Sequence, residues 1–227
     1  MKKFLALLCA AGLSMPVFAA DVKTDISNRL DAAKATLDAI MKTPDQAIPN
    51  NIMQQATCVA VVPGLKKAAF IVGGEYGQGV VTCRTGHGWS GPAFIKMTGG
   101  SFGFQIGGSG TDLVLVAMNQ KGMQDLLQSK FKIGGNVAAA AGPVGRSSSA
   151  STDWKLNSEL LSYSRSKGLF AGVDLSGVAV TQNEDDTTTF YGAPHTFEQI
   201  LKGNVMPPPA ARPFVRTVAK YFMSTQK

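Results

Sequence analysis

The sequence predicts an α+β fold in which a curved, mainly antiparallel, barrel-like β-sheet packs against a helix at each end of the chain. Glycine repeatedly interrupts strand-like sequence between Ala69 and Asp112, and glycine inside a strand marks a bend, a bulge or a closely approaching backbone. The strand-like segments are separated mostly by short turns, which favours antiparallel pairing. Amphipathic helical sequence stands on both sides of this region.

The first twenty residues have the composition of a secretory signal peptide. A positive start at Met1–Lys3 precedes an apolar run over Phe4–Leu13, and Val17-Phe18-Ala19 supplies a small-x-small cleavage pattern. The apolar run is too short to span a membrane. We therefore expect residues 1–20 to be removed and residues 21–227 to form one exported domain, in the periplasm, the outer envelope or the medium.

Helical sequence comes first in the expected mature chain. Apolar residues at steps of three and four predict an amphipathic helix over Asp21–Lys42, which Thr43-Pro44 ends. Acidic and basic residues balance on its polar face, and this neutrality favours packing on the sheet over insertion into lipid. A second, short helix is predicted over Asn51–Ala56.

Turn residues divide the following sequence into strands. The first strand, Thr57–Val62, is expected to end at the turn dipeptide Pro63-Gly64, and Gly86–Gly88 forms a later turn. Gly145–Thr152 is predicted to be a polar, serine-rich loop. The other predicted strands are Ala68–Gly74, Gly77–Arg84, Gly91–Met97, Ser101–Ile106, Leu113–Met118, Lys132–Ala141, Leu160–Ser164 and Leu169–Val180.

Capping residues locate the remaining helices. Asn119 is expected to cap a helix over Gln120–Lys130, and Thr196–Gln199 forms a capping box for a short helix. Asn183–Asp186 is interpreted as a hairpin turn leading to a strand over Thr188–Tyr191. A C-terminal amphipathic helix is marked by Phe214, Val218, Tyr221 and Phe222.

No catalytic motif meets its structural requirements. Gly74–Gly79 has the dinucleotide-binding glycines in reversed spacing and leads into another strand. Gly142–Ser149 lacks the Gly-Lys-Ser/Thr ending of a phosphate loop. Ser164–Lys167 fits S-x-x-K, but neither Ser-Asp-Asn nor Lys-Thr-Gly follows it. We expect no enzyme, and a serine hydrolase stays as a remote alternative because serine is abundant around Arg146–Ser166.

Few residues are suited to holding a metal ion. The only histidines are His87 and His195, and no Cys/His cluster accompanies them, so neither a metal nor a cofactor is expected. Asp112 and Asp174 lie beside strands and are expected to make structural hydrogen bonds.

Two cysteines remain in the expected mature chain. In an oxidising compartment Cys58 and Cys83 could form a disulfide, and the alternative is two separate buried thiols. The disulfide is the favoured prediction.

Basic residues grouped at predicted turns are the candidate contacts to a lipid headgroup. The full chain carries a formal net charge of +7, and each exposed cation near an anionic membrane contributes about 1 kcal/mol. Ordinary solvated charge is the alternative for each residue alone. Few aromatic residues stand among these cations, so no nucleic-acid partner is expected. The candidates are Lys66, Lys67, Arg146, Arg165 and Lys167.

A series of glycine-rich blocks, in this order and spacing, resembles the SYLF domain. The blocks are FIVGGEYGQGVV, the Trp89–Ala93 segment, FGFQIGGSGTDLVLV, GGNVAAAAGPVGR, YSRSKGLFAGVDLSGVAV and FYG. They cover a core of about residues 32–192, followed by a C-terminal helical extension. The resemblance implies a non-enzymatic lipid-binding module. Eukaryotic members of the family bind phosphoinositides, and some also bind actin filaments.

The predicted signal peptide departs from those cytosolic members, so neither actin nor a phosphoinositide is the expected native partner. For an exported member, the resemblance implies binding to phospholipid or to a membrane surface of the cell envelope. The alternative is a structural or interaction protein of the envelope with a protein or glycan partner.

Overall fold

The computed structural model describes residues 17–43, 47–103, 109–134, 137, 139–144, 159–166, 169–170 and 175–223. The helices in these ranges are α1 (Val17–Met41), α2 (Asn50–Gln55), α3 (Gln120–Leu127), α4 (Glu184–Tyr191), α5 (Phe197–Leu201) and α6 (Arg212–Tyr221), with a 3₁₀ turn at Pro209–Ala211. The strands are β1 (Cys58–Thr85), β2 (Gly88–Trp89), β3 (Ala93–Gly103), β4 (Ser109–Ala117), β5 (Lys130–Lys132), β6 (Ala139–Ala141), β7 (Leu160–Ser166), β8 (Leu169–Phe170) and β9 (Ala179–Gln182).

The strands form one sheet in the order β5-β9-β3-β1-β4-β7-β6, with β2 paired to β1 and β8 to β7. Neighbouring strands are antiparallel except for the parallel pair β6 and β7. The predicted α+β class and the strongly curved, mainly antiparallel sheet are therefore confirmed. None of the helices in the described ranges combines the length and apolar character needed to cross a membrane.

Strand β1 is 28 residues long and organises the sheet. Its first half pairs with β4 and its second half with β3. Its two ends meet, because the Arg84 backbone N–H donates to the Thr57 carbonyl at 2.7 Å. The sulfur atoms of Cys58 and Cys83 are bonded to each other at 2.04 Å beside this contact. The strand therefore curls back on itself, which gives the sheet its curvature.

Two glycines allow the halves of β1 to approach each other. A Cβ atom at Gly79 would lie 2.5 Å from the Val61 carbonyl oxygen, and one at Gly77 would lie 2.7 Å from Leu65 Cδ1. A larger residue at Gly79 would displace the backbone of the other half of the strand, whereas one at Gly77 would displace the Leu65 and Val62 side chains. The expectation that glycine permits close backbone approach is confirmed here.

Gly64 does not end the first strand, so the predicted turn at Pro63-Gly64 is wrong. The register between β1 and β4 shifts between Val62 and Leu65, and Gly64 has a φ of +56°. This is a β-bulge, where one residue in the left-handed region bends a strand that then continues. Lys66 consequently lies within a strand.

Alternate residues of β1 enter two apolar cores on opposite faces of the sheet. Val59 and Val61 pack with residues of α1, α2 and α6, whereas Ala60 and Val62 pack with residues of α3 and α5. The helix predicted over Asp21–Lys42 is confirmed as α1, although it begins at Val17 and ends at Met41. Its packing on the sheet is confirmed by its buried side chains. These are Ile26, Leu30, Ala33, Leu37 and Ile40.

The Arg84 guanidinium ties β1 to α2 and to the end of α6. Its Nη2 atom donates to the Met53 carbonyl at 3.1 Å and to the Phe222 carbonyl at 2.8 Å. The Arg84 guanidinium also lies 4.9 Å from the centre of the Trp89 ring. Burial lowers the pKa of Arg84 from its usual value. These contacts fix the C-terminal helix against the sheet.

Asn183 starts a helix, so the hairpin turn and the strand predicted over Thr188–Tyr191 are wrong. The Asn183 side chain accepts from the Asp186 backbone N–H, and three acidic residues occupy the first turn of α4. Carboxylates there interact favourably with the helix dipole. Gly192, with a φ of +75°, ends the helix.

Other predicted elements are present, but some differ in extent from the prediction. Asn119 caps α3 by accepting from the Gly122 N–H at 2.9 Å, but this helix ends at Leu127, before the predicted Lys130. The single strand predicted over Lys132–Ala141 is instead divided between β5 and β6. The capping box at Thr196 is present. The predicted loop Gly145–Thr152 and Asp174 lie outside the described residues.

Candidate functional site

Two of the predicted cations lie on either side of one strand. Lys66 of β1 is paired with Gly110 of β4, and Arg165 of β7 is paired with Asp112 of β4. The Lys66 side chain is exposed, whereas the Arg165 side chain is 28% exposed. The sheet therefore brings together two basic residues that are far apart in the sequence.

Asp112 lies between these strands and has the structural hydrogen-bonding role that the sequence predicts. Its Oδ1 atom accepts from the Gly64 backbone N–H at 3.1 Å, which secures the bulge. Its Oδ2 atom lies 3.3 Å from Arg165 Nη2. Arg165 is therefore ion-paired, and an anionic ligand would compete with Asp112 for its guanidinium.

The described residues do not place the side chains of the other three predicted cations. The Lys67 backbone is paired with Ser109 of β4, so Lys67 lies on the strand where a turn was expected. Arg146 and Lys167 lie outside the described residues. Of the five candidates, Lys66 and Arg165 are the two whose side chains the described ranges place.

A cleft of about 310 Å³ opens beside Lys66, between α1 and β1. Asn28 and Arg29 line it from the helix, and Lys66, Tyr76 and Gln78 line it from the strand. Tyr76 is 47% exposed and forms part of the rim. The cleft thus combines an exposed ammonium group, two side-chain amides, an aromatic ring and the carboxylate of Asp25.

The guanidinium of Arg29 forms the floor of the cleft and is held by two carboxylates. Its Nη2 atom lies 2.8 Å from Asp25 Oδ2, and its Nη1 atom lies 2.6 Å from Asp186 Oδ2. Arg29 is 8% exposed, and its guanidinium lies 5.7 Å from the centre of the Phe94 ring. This cation is used to join helices, which leaves Lys66 as the exposed cation lining the cleft.

Sequence reasoning did not identify Arg29, Asn28, Tyr76 or Gln78 as site residues. In the sequence, Arg29 belongs to the charge-balanced face of the first helix, and Tyr76 stands among the glycines of the strand-like region. Only the packing of α1 on β1 brings them together, so no local spacing could have indicated the cleft.

The residues that line the cleft offer hydrogen-bond donors and acceptors to a polar group. None of the residues that line the cleft in the described ranges is a serine, cysteine or histidine. Ser164, which begins the S-x-x-K match, is 5% exposed, and Lys167 of that match lies outside the described residues. Among the placed residues, no three His, Cys, Asp or Glu side chains form a metal-binding group.

Comparison with known proteins finds a matching family and several similar proteins. A sequence model of the family described as "Ysc84: Las17-binding protein actin regulator" matches residues 98–221. The chain is 36% identical over 178 residues to "LAS seventeen-binding protein 3" of Saccharomyces cerevisiae, covering 77% of this chain and 39% of that protein.

Two further relatives are similar over nearly the same share of the chain. "Protein YSC84" of Saccharomyces cerevisiae is 37% identical over 176 residues, covering 76% of this chain and 37% of that protein. "SH3 domain-containing YSC84-like protein 1" of Xenopus laevis is 31% identical over 172 residues, covering 74% of this chain and 51% of that protein. The match thus spans about half or less of each relative.

Proposed function

Because this chain belongs to the Ysc84 (SYLF) family, we propose that it is an exported, non-enzymatic module that binds anionic phospholipid at a membrane surface of the cell envelope. The observation that carries the proposal is the exposed Lys66 ammonium at a polar cleft, beside the ion-paired Arg165. A headgroup phosphate can accept hydrogen bonds from an ammonium group and from side-chain amides.

The expected affinity is modest. Each exposed cation near an anionic bilayer contributes about 1 kcal/mol, and salt screens the attraction. The Asp112 carboxylate occupies one side of the Arg165 guanidinium, so Lys66 supplies most of the available positive charge at this site. Binding should therefore depend on Lys66 more than on Arg165.

A protein partner is the second candidate. The matching family description names a Las17-binding actin regulator, and the name of one yeast relative says that it binds LAS seventeen. Tyr76 is 47% exposed at the rim of the cleft, and tyrosine is enriched in protein interfaces. By analogy, the same cleft would bind an acidic segment of an envelope protein.

Export is part of the proposal and rests on the signal-peptide pattern of residues 1–20. N-terminal sequencing of protein recovered from its own host tests it directly. A first residue at Ala20 or Asp21 supports export, whereas a chain that retains residues 1–20 contradicts it.

Flotation with vesicles tests the lipid-binding proposal. Lys66→Glu should weaken binding to vesicles of equimolar phosphatidylglycerol and phosphatidylcholine by on the order of tenfold, because attraction is replaced by repulsion. Lys42→Glu is the matched control, since Lys42 is exposed at the end of α1 and does not line the cleft. Equal binding by both variants would show that the cleft does not contact the membrane.

A further inference from the structure

The outer face of α6 carries a line of three cations. Arg212, Arg216 and Lys220 are exposed and are spaced four residues apart. Phe214, Val218 and Phe222, each two residues further along, are at most 1% exposed. Two residues correspond to a rotation of about 200° around a helix, so the cations lie on the face opposite the one that packs on the sheet.

These cations have no carboxylate partner among the described residues. The ion pairs formed in those ranges include none of the three, and the sequence RPFVRTVAKY of α6 contains no acidic residue. The nearest aromatic contact is that of Lys220 Nζ, 4.8 Å from the centre of the Tyr221 ring. Like charges four residues apart repel and destabilise a helix by about 0.2–0.5 kcal/mol per pair. An external anionic surface would offset that repulsion.

Two exposed apolar side chains stand before and after this helix in the sequence. Met223 is 67% exposed and Met206 is 90% exposed, at the two ends of the segment that contains α6. A helix with a cationic outer face, with exposed apolar side chains before and after it in the sequence, suits the boundary between lipid headgroups and acyl chains. Nucleic acid is a poorer match, because α6 exposes no aromatic side chain on which a base could stack.

The helix is anchored to the rest of the protein while its cations face outward. Phe222 packs edge-to-face on Trp89 with ring centres 5.7 Å apart, and Tyr221 Oη donates to Asp38 Oδ1 of α1 at 2.8 Å. The three cations span about 12 Å along the helix axis, which is close to one Debye length at physiological salt. They therefore act together on a surface that lies along the helix.

We propose that the outer face of α6 is a docking surface for an anionic phospholipid bilayer, formed by Arg212, Arg216 and Lys220. The inference rests on the proposed binding of acidic membranes and identifies a second contact, separate from the cleft at Lys66. Each cation strengthens binding to an acidic bilayer about fivefold. Neutralising all three should therefore weaken binding by on the order of 100-fold.

The test compares variants of the exported chain, without residues 1–20, in flotation with equimolar phosphatidylglycerol and phosphatidylcholine vesicles. Arg212→Gln/Arg216→Gln/Lys220→Gln is expected to lose about 100-fold in partitioning. The matched control is Lys23→Gln/Lys42→Gln/Lys130→Gln, which removes the same charge from exposed positions on other elements and is expected to bind nearly as wild type. The charge-conserving variant Arg212→Lys/Arg216→Lys/Lys220→Arg should retain binding. Thermal melting of each variant verifies that it folds.

The outcomes separate the two proposals. If the wild-type protein does not bind acidic vesicles, both the proposed function and this docking surface are wrong. If the wild-type protein binds and the α6 triple variant binds equally well, the docking surface alone is overturned. Equal losses in the α6 variant and its charge-matched control would show that net charge, and not this face, governs binding. A loss confined to binding of an acidic polypeptide such as polyglutamate, with vesicle binding intact, would assign the face to a protein partner and overturn the bilayer.

Discussion

Arg29 Nη1 lies 2.6 Å from Asp186 Oδ2, a contact that joins α1 to α4 across 157 residues of sequence. The Asn183 side chain donates to the same Asp186 carboxylate. Asn183 therefore both caps α4 and orients the carboxylate that pairs with Arg29. The exposed fractions of the Arg29 and Asp186 side chains are 7% and 16%. Arg29 lines the cleft, and its pair with Asp186 fixes α4, where the sequence predicts a hairpin, against α1.

Replacing Asp186 with Ala should destabilise the protein by about 2 kcal/mol, because the buried Arg29 guanidinium loses its less exposed carboxylate partner and keeps only that of Asp25, which faces solvent. Asp25→Ala is the control. It removes the other carboxylate of Arg29, but the Asp25 side chain is 69% exposed, so its loss should cost under about 1 kcal/mol. Urea unfolding measures both values. Equal effects of the two substitutions would contradict the structural role given to Asp186.

The close approach within β1 predicts a strong effect at Gly79. Gly79→Ala should reduce the free energy of unfolding by about 2 kcal/mol, since its Cβ would meet the Val61 carbonyl oxygen at 2.5 Å. Gly100→Ala on β3 is the matched control, because a Cβ at Gly100 meets nothing within 4 Å. It should change stability by no more than about 0.5 kcal/mol. A Gly79→Ala protein as stable as the control would mean that the halves of β1 are not packed this closely.

The disulfide between Cys58 and Cys83 closes a loop with a sequence separation of 25 residues. Cys58→Ala/Cys83→Ala should lower the unfolding free energy by about 3 kcal/mol, because the cross-link reduces the entropy of the unfolded chain. Thiol alkylation of protein from its own host, followed by mass spectrometry, measures whether the bond forms there. Two free thiols in that protein would contradict both the bond and an oxidising compartment.

Asp112 should limit the affinity of the cleft region for anions. Asp112→Asn retains an acceptor for the Gly64 N–H but removes the carboxylate from Arg165. Its binding to phosphatidylglycerol vesicles should therefore strengthen about fivefold. Asp31→Asn, at an exposed position on α1, controls for the change in net charge. Vesicle binding that is unchanged in Asp112→Asn would show that Arg165 takes no part.

Elements governed by neighbouring residues in the sequence were predictable. The α1 periodicity, the Asn119 cap and the Thr196 capping box depend on contacts within a few residues, and the structure contains all three. The curvature of the sheet was also predictable, because glycines inside strand-like sequence indicate a bend or a close backbone approach. Gly79 makes such an approach to the Val61 carbonyl.

The errors arose where distant residues decide the conformation. Pro63-Gly64 forms a bulge and not a turn, because Asp112, 48 residues away, accepts the Gly64 N–H. Threonines and aromatic residues favour a strand after Asn183, but the Arg29–Asp186 pair and the acidic first turn favour the helix α4. The cleft was not predictable for the same reason, since its two walls come from separate parts of the chain.

The salt dependence of wild-type partitioning into acidic vesicles tests the proposed function most directly. The protein should prefer phosphatidylglycerol-containing vesicles over pure phosphatidylcholine at about 0.1 M salt, and the preference should disappear near 1 M salt, where the Debye length falls to about 3 Å. Equal partitioning into both vesicle types at low salt, or no partitioning into either, would contradict the account.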